Sequence, residues 1–87
     1  MDESMEETIR RYLIDELGLP ESVTSQAFLM ENGLLVSAQL IDVIVFLEDT
    51  FGVVLRPVDV VPEKMKSISS IAAIVRERLA ATSGKSA

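Results

Sequence analysis

The chain has 87 residues, a formal net charge of −6, no cysteine and no histidine, and 48% of its residues are hydrophobic. That length suits one domain with one core, burying about 60–65% of the surface its unfolded chain exposes. The composition excludes disulfides, thiolate nucleophiles and zinc–thiolate sites, removes the commonest general base and the usual serine-hydrolase triad, and leaves too little clustered positive charge for nucleic acid.

The charge is uneven along the chain. Between Asp2 and Asp49 the only basic residues are Arg10 and Arg11, whereas Lys64, Lys66, Arg76, Arg78 and Lys85 load the C-terminal part. An acidic face around the second helix is expected, with basic surfaces of other proteins as its partners. No basic start precedes an apolar run, so no signal peptide is expected. The most apolar window is broken by Ser37, Gln39 and Asp42, so no membrane insertion is expected and the cytoplasm is the default location.

Met1 to Ser4 read as a frayed end. Met5, Ile9, Leu13 and Leu17, with Tyr12 beside them, share one face of a first helix, with Glu6 and Glu7 in the first turn where negative charge suits the dipole. Gly18 and Pro20 stop it. The polar stretch from Glu21 to Asn32 predicts a long loop anchored by Val23, Ala27, Phe28 and Leu29. Asp15, Glu16, Glu21 and Glu31 lack the alternate-ligand spacing of a calcium loop, and no metal site is expected.

Gly33 permits a turn, Leu34 and Leu35 need burial, and Ser37 is placed to cap a second helix. Leu40, Ile44, Leu47 and Phe51 form its buried stripe, Phe46 fills core, and Gln39, Asp42, Glu48 and Asp49 stay wet. Ala38, Ile41 and Val45 lie off that stripe, next to Asp42 and Asp49. Gly52 ends the helix in a left-handed conformation.

Pro57 and Pro62 then allow one short helical turn, from Pro57 to Val61, in a loop that buries Val53, Leu55, Val58 and Val61. Ser67 caps a last helix whose inward residues are Ile68, Ile71, Ile74 or Val75, and Leu79, with Arg76 and Arg78 near its C-terminal end. Residues 1–80 are thus expected to form one all-α domain, a small four-helix bundle of three main helices, one short helix and a long first loop. Residues 81–87 are expected to be a disordered tail.

Ser37 can be a cap and nothing more. A hydrolase built on it would need a base and an orienting group that the chain cannot name. The segments GLLVSAQLIDVIVFLEDTFGV and RPVDVVPEKMKSISSIAAIV, however, resemble the phosphopantetheine-binding carrier family of acyl, peptidyl, aminoacyl and D-alanyl carriers. The family pattern reads G-L-L-D-S-hydrophobe, then a helix ending L-E-x-x-F-G. Ser37 matches the serine that receives the arm, and Leu47, Glu48, Phe51 and Gly52 fall at the matching offsets. The aspartate before the serine is Val36 here, and the hydrophobe after it is Ala38.

The resemblance implies the acyl-carrier four-helix bundle and a monomeric carrier that is not itself an enzyme. It also implies covalent 4′-phosphopantetheine on Ser37, attached from coenzyme A by a phosphopantetheinyl transferase. The arm's thiol would hold an acyl or aminoacyl group as a thioester. Partners would be that transferase, an acyl- or aminoacyl-loading ligase and downstream transferases of a specialised biosynthetic pathway. Val36, Ala38, Ile41, Asp42, Val45 and Asp49 are the residues expected to meet them. The alternative is an unmodified carrier-like subunit for protein interaction or regulation.

Overall fold

The computed structural model describes the backbone of residues 2–36 and 38–86, and side chains within 5–36 and 38–81. Among these residues there are three α-helices and no strand: α1 (Asp2–Leu17), α2 (Gln39–Phe51) and α3 (Ile68–Ser86). Two single 3-10 turns, Pro57–Asp59 and Pro62–Lys64, lie between α2 and α3. One short helix is expected there from the sequence; each proline instead starts its own turn, as its fixed φ and missing N–H allow.

The core joins Ile9 and Leu13 of α1, Leu40, Val43 and Leu47 of α2, and Ile68, Ile71, Ala72, Ile74 and Val75 of α3. On α2 the buried stripe runs through Val43, whereas Ile44 and Phe51 are only partly covered. A stripe taken at i+3 and i+7 from Leu40 points at α1 and α3; one taken at i+4 is rotated toward the edge. Ser67 does cap α3, its Oγ accepting the Ser70 N–H at 3.1 Å.

The start of α1 and the end of α3 depart from expectation. Residues 2–4 belong to α1, and Asp2 and Glu3 are favoured residue types at the positive end of a helix dipole. The backbone of α3 continues to Ser86 where a tail was expected, since Leu79, Ala80 and Ala81 are strong helix formers and no proline stops them. Ala87 lies outside the described residues.

The first loop is held from several sides. Arg10 donates through Nε to Val23 O at 2.8 Å and through a terminal nitrogen to Glu21 O. Ser69 N–H donates to Ser25 O at 2.9 Å, and Leu29 N–H to Lys66 O at 2.8 Å. Leu29 O in turn accepts from Leu34 and Leu35. Val23, Leu29 and Leu35 are buried by this lacing, but Phe28 is exposed. With Leu29 turned inward, its neighbour in a one-residue step faces out. Gly33, with φ of 72°, closes the turn back to Met30 O and supplies the left-handed residue the path requires.

Candidate functional site

The loop reaches α2 through a closed turn. Gln39 N–H donates to Val36 O at 2.9 Å, and Val36 N–H donates to the Gln39 side-chain Oε1, also at 2.9 Å. Ala38, the residue before α2, already has helical dihedrals (φ −62°, ψ −29°) and makes no side-chain cap bond. The reciprocal bonds make Val36 and Gln39 one half of a capping box: the glutamine leg is present, and the valine has no oxygen to complete the other. The expected cap, Ser37, is itself outside the described residues. The V-x-x-Q spacing was the available signal for this arrangement, and the apolar valine hid it.

Burial changes sharply across the junction. Leu35 and Leu40 are buried, while Val36 is 55% exposed and Ala38 is exposed. Two leucines clamp the junction to the core, and the residues flanking Ser37 in the chain face solvent.

Along α2, Ile41 is 67% and Val45 52% exposed, and Asp42 and Asp49 are exposed beside them. The loops therefore do not cover this face. The six residues singled out from the sequence around Ser37 fall into one junction and one outward helix face. The face continues into a groove against α1, lined by Tyr12, Glu16, Phe46 and Thr50 as well as Asp42, Val45 and Asp49. Tyr12 and Phe46 stack at 4.0 Å with 12° between their planes, and Phe46 meets Phe51 edge-on at 6.3 Å. The Tyr12 hydroxyl donates to Asp42 O at 3.1 Å. Burial pushes the Tyr12 phenol above its ordinary value, and the carboxylates of Asp42 and Glu16 add to the shift.

Several carboxylates elsewhere are paired: Glu7 with Arg10, Asp15 and Glu21 with Arg11, and Asp59 with Arg56. Glu16, Asp42 and Asp49 make no ion pair among the described residues. A field of one sign is left facing outward at the groove.

Beyond α2, Gly52 takes φ of 69° and donates to Glu48 O at 3.0 Å, and the Glu48 carboxylate accepts Leu55 N–H at 3.0 Å. Asp59 is buried and accepts from Arg56 Nε at 3.2 Å and from Arg56 N–H at 3.1 Å. Those hydrogen bonds from Arg56 hold the Asp59 carboxyl below its ordinary value against the opposing effect of burial. Val53 and Met65 are buried in this connection and Leu55 partly so, but Val58 is exposed because the 3-10 turn spends its inward position on Asp59.

Among the described residues no group of three carboxylate, histidine or cysteine side chains could hold a metal ion, and no helix is long and apolar enough to cross a membrane. Comparison with protein-family models finds no match to this chain. Comparison with curated proteins finds none either.

Proposed function

We propose that this chain is an acyl or aminoacyl carrier whose Ser37 takes a 4′-phosphopantetheine arm and whose outward α2 face presents the loaded arm to partner enzymes. The observation that carries this reading is the junction: a position between exposed Val36 and Ala38, clamped by buried Leu35 and Leu40, within a sequence matching G-L-L-x-S and L-E-x-x-F-G. Exposed Val36 and Ala38 leave this junction open to another enzyme, while Leu35 and Leu40 tie it to the core.

The surroundings fit the group chemically. A phosphodiester there would lie near a helix start, where unpaired N–H groups and the positive dipole end favour an anion. In loading, the Ser37 Oγ–P bond would form as the pyrophosphate P–O bond of coenzyme A breaks, releasing adenosine 3′,5′-bisphosphate. The hydroxyl proton would go to the transferase, because this chain has no histidine to take it. When bound, the arm supplies the thiol on which a carried group is held. The chain's own part is positioning: Ile41 and Val45 offer apolar area, and Asp42 and Asp49 steer basic partner surfaces.

A second reading, an unmodified carrier-like interaction subunit, is favoured by one observation. Val36 replaces a carboxylate that would give a transferase a charge-assisted contact of about 1.5–3 kcal/mol. Transfer of a fluorescent coenzyme A conjugate by a broad-specificity phosphopantetheinyl transferase separates the two. Label on the wild type and none on Ser37→Ala supports the carrier; a wild type that stays dark over hours with either Mg²⁺ or Mn²⁺ supports the unmodified subunit.

A further inference from the structure

The groove between α1 and α2 is built from one stripe of each helix. On α2, Asp42, Val45, Phe46 and Asp49 follow at i, i+3, i+4 and i+7; on α1, Tyr12 and Glu16 are one turn apart. The Tyr12–Phe46 stack and the bond from the Tyr12 hydroxyl to Asp42 O draw the two stripes together. Aromatic carbon therefore lines the groove, and each wall carries carboxylate. Asp42 and Asp49 lie two turns apart, about 10 Å along the axis, so the α2 wall is negative at both ends of the apolar stretch formed by Val45 and Phe46.

Among the described residues no basic side chain lines this groove. The two arginines of α1 are committed elsewhere: Arg10 to Glu7 and to the carbonyls of Glu21 and Val23, Arg11 to Asp15 and Glu21. Like charges that converge from two helices gain most from one shared cation. Aromatic carbon beside them selects a guanidinium, which is weakly hydrated, stacks on rings and keeps its in-plane N–H donors for carboxylates. A compact, strongly hydrated ammonium gives up more water on entering such a place. The groove also opens onto Val45, 52% exposed, and Ile41, one turn away and 67% exposed. Covering them takes an apolar side chain next to the cation, which a protein supplies and a free guanidinium compound does not.

We propose that the groove between α1 and α2 receives an arginine side chain of a partner protein. Its guanidinium lies among the carboxylates of Glu16, Asp42 and Asp49 and against the Tyr12–Phe46 pair, while an apolar neighbour of that arginine covers Val45 and Ile41. This anchor rests on the reading of the α2 face as a partner surface and extends it onto α1, where Tyr12 and Glu16 become residues that select the partner. It makes no use of the Ser37 hydroxyl.

The test is an amide NMR titration of the full chain carrying Ser37→Ala, so that failure of loading at Ser37 leaves the outcome untouched. Three capped amphipathic peptides serve as probes: one with two arginines beside two leucines, a twin with lysine at both basic positions, and a twin with neutral, isosteric citrulline. In about 0.05 M salt the arginine peptide should shift Tyr12, Glu16 and Phe46 saturably, and the citrulline peptide should bind about tenfold or more weakly. The lysine peptide should fall between them. Glu16→Gln and Asp42→Asn should each weaken the arginine peptide several-fold, and Tyr12→Leu, which keeps apolar bulk and loses the ring, should remove its preference over lysine. Asp15→Asn changes net charge by the same amount as Glu16→Gln, but at a carboxylate already paired with Arg11, and should leave binding unchanged. Equal binding of the citrulline or lysine peptide, an Asp15→Asn loss as large as that of Glu16→Gln, or shifts that reach Ile41 and Val45 without Tyr12 and Glu16 would overturn the proposal.

Discussion

Replacing Val36 by aspartate should stabilise the protein by completing the half-formed cap. Val36 is more exposed than covered, so the valine loses less than half the value of full burial, about 0.7 kcal/mol. In return an oxygen becomes available to the first N–H groups of α2, worth about 1 kcal/mol, and the carboxylate gains about 0.3–1 kcal/mol from the dipole. The net expectation is about 1 kcal/mol of stabilisation, or about 4–8 °C in Tm for a domain of this size. Thermal unfolding by far-ultraviolet circular dichroism measures it, with urea unfolding as a second estimate. Val36→Asn separates capping from charge: it should keep the cap bond and none of the dipole part, for a net gain of only about 0.3 kcal/mol. Gln39→Ala removes the leg already present and should cost about 0.5–1.5 kcal/mol. If Val36→Asp leaves Tm unchanged or lowers it while Gln39→Ala is neutral, the turn from Val36 to Gln39 is not the cap of α2.

Other expectations follow from burial and charge. Leu47→Ala, at a fully buried position, should cost about 2–5 kcal/mol in urea unfolding, whereas Ile41→Ala on the exposed face should stay within about 0.5 kcal/mol. Asp59 has a folded pKa below its unfolded one, so its contribution is present above the ordinary carboxylate range and is lost as pH falls through the folded value. Stability measured from pH 6 downward should therefore fall less steeply in Asp59→Asn than in the wild type. Tyr12 is the sole tyrosine, and its ultraviolet titration should show a midpoint above the ordinary 10.0, moving down toward it in Asp42→Asn.

Periodicity made the helices legible, because a buried stripe of α1 or α3 leaves its mark at i, i+3 and i+4. Ser67 was equally plain, a serine directly before an apolar run. What was not legible depends on bonds between distant segments. Phe28 and Val58 looked like anchors by composition, yet backbone lacing of Leu29 to Lys66 and the inward turn of Asp59 decide which side faces the core. No periodic signal exists in such stretches. At the site, the outward placement of Ile41, Asp42, Val45 and Asp49 followed from helical spacing, while the cap bonds of Gln39 did not, since an apolar N-cap residue breaks the pattern by which caps are recognised.

The central claim rests on one hydroxyl, and intact-protein mass spectrometry addresses it most directly. After incubation with coenzyme A, Mg²⁺ and a broad-specificity phosphopantetheinyl transferase, the wild type should gain a single phosphopantetheine increment that Ser37→Ala does not. An unchanged wild-type mass, under conditions where Val36→Asp is also unchanged and an established carrier is fully loaded, would contradict the account.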